Sequence, residues 1–95
     1  MTHLARLSLT VHGRVQGVGF RWQAADVARR LGLDGWVRNE PGGEVALVAQ
    51  GEQAALQRLL EWCQQGPPSA RVQSVISHWS EPDTGVTPGF RIRHD

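Results

Sequence analysis

The chain has 95 residues, of which 40% are hydrophobic, and carries 10 basic against 9 acidic side chains. This length suits one compact domain with a modest core, and the composition excludes a disordered or fibrous chain. The net charge of +1 disfavours a nucleic-acid binder, and since every basic residue is arginine, lysine Schiff-base chemistry and a lysine-dependent nucleotide loop are excluded.

The first third of the chain predicts a strand, a loop and a helix. Alternating apolar residues predict a half-buried strand at Leu7–Val11. A glycine-rich loop, residues 13–19, follows it. The next apolar residues recur at helical spacing: Phe20, Ala24, Val27, Ala28 and Leu31. Gly32 lies just past them, where helices commonly end in a left-handed residue, and Leu33–Gly35 is interpreted as a turn.

The middle of the chain predicts a hairpin and a second helix. Trp36–Asn39 is a short strand, Glu40–Gly43 a turn, and Glu44–Gln50 the returning strand. The second helix carries its apolar residues at i, i+3, i+4 and i+7: Leu56, Leu59, Leu60 and Cys63. Gly66–Pro68 ends this helix.

The last third predicts two strands around a loop. Val72–Trp79 is a strand with imperfect alternation, because Ser77 falls on its apolar face, and Phe90–Arg93 is a short tail strand after loop 81–89. The order strand, helix, strand, strand, helix, strand predicts an α+β, ferredoxin-like βαββαβ sandwich. We expect a four-stranded antiparallel sheet, plus the short C-terminal strand, packed under two helices in a single domain, residues 1–95.

The glycine-rich loop is the first candidate site. Three glycines in seven positions allow backbone N–H groups to point at a common centre, and such a concavity at a helix N-terminus binds anions. Arg21 follows in the first helical turn, where its planar guanidinium can hold two phosphate oxygens. A turn that only leads the strand into the helix is the alternative. The loop fits neither of the two common nucleotide-binding motifs.

Asn39 is the second candidate, because it ends a strand directly before a tight turn. Its alternative role is a turn residue that bonds its own backbone. We expect no metal and no cofactor, since the four histidines (His3, His12, His78 and His94) show no metal-ligand spacing. Cys63 and the four tryptophans are interpreted as packing residues.

Location is predicted from three features. A single cysteine cannot form an intrachain disulfide, residues 1–6 lack the apolar run of a signal peptide, and no stretch approaches the roughly 20 apolar residues that span a bilayer. We therefore expect a cytoplasmic protein without a membrane partner.

Two motifs together resemble the acylphosphatase family: Gly13–Arg21, with the sequence GRVQGVGFR, and Gly35–Asn39, with the sequence GWVRN. The resemblance continues at Gly43–Val45, Gly66–Val72 and Phe90–Ile92, so it covers nearly the whole chain. It implies the ferredoxin-like fold and hydrolysis of the carboxyl–phosphate anhydride of a small acyl phosphate, with no metal.

The resemblance also implies roles for particular residues. Arg21 would bind the phosphoryl group, and Asn39 would orient the attacking water. The backbone N–H groups of the cradle would come from Gln16, Gly17, Val18, Gly19, Phe20 and Arg21. We expect a monomer, the default for a domain of this size.

Two other functions stay open from the residues alone. The first is a non-enzymatic module in which the loop only binds anions. The second is an RNA-binding domain, which would need aromatic residues on the central strands, and Glu44–Gln50 contains none.

Overall fold

A computed structural model describes residues 3–94 of the chain. Its elements follow one another as strand, helix, strand, strand, helix, strand and strand. They are β1 (Leu4–Arg14), α1 (Phe20–Arg30), β2 (Asp34–Asn39), β3 (Val45–Glu52), α2 (Gln53–Gln65), β4 (Arg71–Ser80) and β5 (Phe90–Arg93).

The strands form one sheet in the order β4-β1-β3-β2-β5. β1 pairs with β3 and β4, and β2 pairs with β3, all antiparallel. β5 joins the other edge parallel to β2, so the sheet is mixed. The predicted α+β, ferredoxin-like fold is confirmed. The predicted C-terminal strand is the fifth strand of the sheet and pairs with β2.

The core lies between one face of the sheet and the two helices. Along β1 the inward residues Ala5, Leu7, Leu9 and Val11 are buried, while the residues between them are half-buried, as the alternation over Leu7–Val11 predicted. Both helices turn buried residues to the sheet: Phe20, Ala24, Ala25 and Ala28 from α1, and Leu56, Leu59, Leu60 and Cys63 from α2. The predicted second apolar face is therefore confirmed in full.

The end of α1 follows the prediction, and the start of β2 does not. Gly32 has a φ of 72°, its N–H donates to Arg29 O, and the N–H of Leu33 donates to Ala28 O. These two bonds are the Schellman pattern of a helix end. Asp34 and Gly35 belong to β2 rather than to a turn, because they pair with Gln50 and Ala49 of β3.

The position of β4 at the edge of the sheet explains why its apolar and polar residues alternate imperfectly. Val75 and Trp79 are half-buried against the core, whereas Ser77 between them is exposed. An edge strand is covered on its inner face only in part, so a polar residue is tolerated there. The longer helix, α2, has 13 residues, and none of the helices in residues 3–94 has the length and hydropathy needed to cross a bilayer.

The Cys63 thiol is enclosed in the core, and this burial raises its pKa to about 12. We expect no reaction with a thiol reagent at pH 8 in the folded protein and one equivalent after unfolding in guanidinium. Because the unfolded chain releases this proton at a lower pH than the folded chain, the thiol's contribution to stability is lost as pH rises from about 9 towards 12. Rapid labelling of the folded protein at pH 8 would contradict this assignment.

Candidate active site

The glycine-rich loop folds into an open turn between β1 and α1. Gly17 and Gly19 have φ angles of 73° and 78°, which glycine adopts without the steric penalty of a side chain. Both are exposed, whereas Val15 before them and Phe20 after them are buried. The loop is thus anchored at both ends by the core and presents its backbone to solvent.

The first turn of α1 leaves its N–H groups available. Gly19 is the N-cap residue, and within residues 3–94 no side chain caps this helix end. The first helical N–H that bonds back to the loop is that of Gln23, which donates to Gly19 O at 3.1 Å. The first turn also contains no acidic residue. Such an end favours an anion, through its unsatisfied N–H groups and through the helix dipole.

Arg21 is half-buried, and its Nη1 lies 3.3 Å from Nδ1 of His94. His94 directly follows Arg93, which pairs with Arg38 in the parallel register of β5 and β2. Because the paired strands end at Arg38 and Arg93, His94 and Asn39 both belong to this end of the sheet. The contact between Arg21 and His94 places the Arg21 guanidinium at the end of the sheet that carries Asn39.

Asn39 is the last residue of β2 and pairs with Val45 of β3. Its Oδ1 is buried and has no hydrogen-bond partner among residues 3–94. Buried polar side-chain atoms are nearly always hydrogen-bonded, to protein or to water. The alternative role, in which this oxygen accepts a hydrogen bond from the backbone of its own turn, is therefore not observed. The hydrogen-bonding capacity of this carboxamide oxygen is therefore unused by the described residues.

The charged residues next to Asn39 in the sequence are paired with other side chains. The neighbouring carboxylate, Glu40, forms an ion pair with Arg38, with 2.9 Å between Oε1 and Nε. The Arg38 guanidinium also lies 4.9 Å from the centre of the Trp36 ring, and so does that of Arg93. No three His, Cys, Asp or Glu side chains of the described chain lie close enough to hold a metal ion.

Two side-chain contacts of this site were not predicted. The Gln16 Nε2 donates to Glu40 O at 2.8 Å and to Glu44 O at 2.9 Å, whereas only the backbone of Gln16 was considered from the sequence. His94 meets Arg21 because β5 runs parallel to β2, a pairing that the tail sequence does not specify. The sequence shows that this glutamine of the loop carries a side-chain donor, but nothing in the neighbouring residues identifies its acceptor.

Known proteins are similar to this chain in sequence and in fold. The sequence model of the Acylphosphatase family matches residues 7–92. A protein of Anaeromyxobacter dehalogenans named acylphosphatase is 50% identical over 93 residues, which cover 98% of this chain and 99% of that protein. One of Thermococcus kodakarensis with the same name is 50% identical over 87 residues, 92% of this chain and 93% of its own length.

A solved structure has the same fold. The crystal structure of an acylphosphatase from Bacillus subtilis superposes with a TM-score of 0.89 at 35% identity, and the match covers 96% of this chain and 99% of that one. On the match of the family's sequence model and on these relatives, the chain belongs to the acylphosphatase family.

Proposed function

We propose that this protein hydrolyses acyl phosphates to a carboxylate and orthophosphate, with attack of water in line with the bond that breaks. The observation that carries the proposal is the unpartnered Oδ1 of Asn39, at the same end of the sheet as Arg21. A single acceptor oxygen beside an anion-binding loop is what the placement of a nucleophilic water requires. The reaction itself then needs little further chemistry from the protein.

The phosphoryl group is bound by the loop and by Arg21. In this proposal the cradle consists of the N–H groups of residues 16–21, which surround two of the phosphate oxygens. The Arg21 guanidinium binds from the side with two parallel N–H donors. Both sets of donors are fixed before the substrate arrives, since the loop ends are buried, so they stabilise the charge of the transition state at little reorganisation cost.

The water is placed by Asn39. A water that donates one hydrogen to Oδ1 keeps a lone pair directed at phosphorus. As the new P–O bond forms, the bond from phosphorus to the acyl oxygen breaks, and its electron pair leaves on the carboxylate. That leaving group has a conjugate acid with a pKa of roughly 4, so it departs without a general acid. The water's proton passes to a phosphate oxygen of the substrate.

The pairing of Glu40 supports this assignment of the proton. Glu40 is the carboxylate nearest in sequence to Asn39, and it forms an ion pair with Arg38. Oε1 of Glu40 is held by the Arg38 guanidinium, whereas the phosphate oxygens of the substrate are bonded to the phosphorus atom that the water attacks. The proposal therefore contains no protein general base and no metal ion.

Turnover of benzoyl phosphate tests the proposal. We expect saturable hydrolysis by the purified protein, an unchanged rate in the presence of a chelator, and competitive inhibition by inorganic phosphate. A rate no faster than spontaneous hydrolysis, with phosphate still bound, would favour the anion-binding module instead. A rate abolished by the chelator and restored by a divalent cation would overturn the metal-independent mechanism.

An RNA-binding role has less support. The outer face of β3 carries Ala46, Val48 and Gln50, none of which can stack on a base. The neighbouring Trp36 is covered by the guanidinium groups of Arg38 and Arg93. Recognition of single-stranded RNA on such a sheet relies on exposed aromatic rings of the central strands.

The same proposal extends to assembly and location. We propose one domain over residues 1–95 that acts as a monomer in the cytoplasm. The lone cysteine, buried in the core, suits a reducing compartment. Light scattering checks the first part and should give a mass near 10.5 kDa. A mass of twice that value would contradict the monomer.

A further inference from the structure

The Gln16 side chain connects the phosphate loop to the turn between β2 and β3. Its amide group donates one hydrogen to Glu40 O at 2.8 Å and the other to Glu44 O at 2.9 Å. These carbonyls also accept the bonds that close the turn, from Gly43 N to Glu40 O and from Glu40 N to Glu44 O. One amide thus holds both sides of the turn.

The two carbonyls flank the residue that is proposed to place the water. Glu40 directly follows Asn39, and Glu44 directly precedes Val45, the residue that pairs with Asn39. At its other end, the Gln16 side chain starts from the backbone next to Gly17 in the loop. The side chain therefore spans from the phosphate-binding backbone to the pair that carries the Asn39 carboxamide.

This span matters because in-line attack is sensitive to distance. The reacting atoms must lie about 3–3.5 Å apart, and a misplacement of about 1 Å can cost roughly 10²-fold in rate. Arg21 and the loop locate phosphorus, whereas Asn39 locates the water. A rigid connection between the two is what keeps them in register.

We propose that Gln16 is a positioning residue that sets the distance between the phosphate loop and the Asn39 carboxamide. This inference rests on the proposed function and adds to it a side chain that touches neither substrate nor water. It acts on the rate of the chemical step and leaves phosphate binding alone, because the loop keeps its own anchors at Val15 and Phe20.

The Gln16→Met variant tests the proposal. Methionine has nearly the same shape but donates no hydrogen bond, and both carbonyls keep their backbone partners, so the variant folds. We expect kcat for benzoyl phosphate to fall about 10- to 100-fold while the inhibition constant of inorganic phosphate stays close to that of the wild type. A parallel loss of phosphate binding and kcat would overturn the proposal, since Gln16 would then support the loop.

Ser69→Ala is the matched control. The Ser69 hydroxyl donates to Val18 O at 2.8 Å, so it ties the same loop to residues 66–70 and does not contact the β2–β3 turn. Its removal deletes a loop hydrogen bond without altering the span to Asn39. We expect kcat close to the wild-type value and a small decrease in the unfolding midpoint. A fall in kcat equal to that of Gln16→Met would overturn the proposal, because general loosening of the loop would then explain both.

The double variant Gln16→Met with Asn39→Ala separates the positioning role from a structural one. If Gln16 acts through Asn39, its loss costs nothing further once the carboxamide is gone, and the double variant matches Asn39→Ala alone. Multiplied losses would overturn the proposal. A normal rate for Asn39→Ala would instead reject the proposed water placement. That result comes from the single variant alone, so it can be distinguished from a failure of the Gln16 proposal.

Discussion

Replacing Asn39 with alanine is expected to lower kcat for benzoyl phosphate about 10²- to 10³-fold, the usual cost of losing one preorganised polar group at a reacting centre. The substitution removes the Oδ1 acceptor that holds the water and leaves the loop and Arg21 in place. Inorganic phosphate should therefore still bind with an almost unchanged inhibition constant. Steady-state kinetics with phosphate as a competitive inhibitor measure both quantities.

The fold should survive the Asn39 substitution. Oδ1 has no partner among residues 3–94, so its removal breaks no hydrogen bond and relieves a buried unsatisfied acceptor. The unfolding midpoint should stay equal to that of the wild type or rise slightly. Gln64→Ala, which removes an exposed amide from α2, is the control for kinetics and stability. Wild-type turnover by Asn39→Ala would remove Asn39 from the mechanism.

Replacing Arg21 with lysine is expected to have the larger effect, about 10³-fold in kcat/KM, because arginine groups that neutralise charge in phosphoryl transfer contribute roughly 10³ to 10⁵ in rate. Lysine keeps the charge but is a single point donor that cannot match two phosphate oxygens. Inhibition by inorganic phosphate should weaken as well, in contrast to Asn39→Ala. Initial rates at substrate concentrations well below KM measure this loss directly.

Arg30→Lys is the matched control for Arg21. Arg30 lies at the end of the same helix, is exposed, and forms an ion pair with Asp26 one turn earlier. Its replacement preserves charge and should change neither the rate nor the inhibition by phosphate. Near-normal kinetics of Arg21→Lys would show that Arg21 contributes only to the surface or to the helix end.

Most of the fold could be predicted because its signals are local. Alternation defined β1, helical spacing defined both apolar faces, and glycine marked the end of α1. The start of β2 was wrong by two residues, because Asp34 and Gly35 look like a turn and are held extended by pairing with β3. The parallel position of β5 depends on a contact between distant segments, which the four residues of that strand do not encode.

The candidate site could be predicted only in part. The loop and Arg21 are adjacent in the chain, so their pattern is visible in one short motif. Asn39 resembled an ordinary turn residue, and what distinguishes it is a buried oxygen without a partner, which only the structure reveals. The Gln16 side chain bonds to two backbone carbonyls more than twenty residues away in the sequence. Every residue has a backbone carbonyl, so the sequence does not show which ones act as acceptors.

The position of β1 between β3 and β4 has a consequence for synthesis. Val11 pairs with Val45 on one side and with Val75 on the other, so the partners of the first strand come from the middle and the last third of the chain. On the ribosome, β2 and β3 can form a hairpin early, but β1 keeps one edge unpaired until β4 has emerged. An exposed edge of this kind can pair with another nascent chain. Folding should therefore be slow compared with helical domains of similar size, and the growing chain should be most prone to aggregate before β4 has emerged.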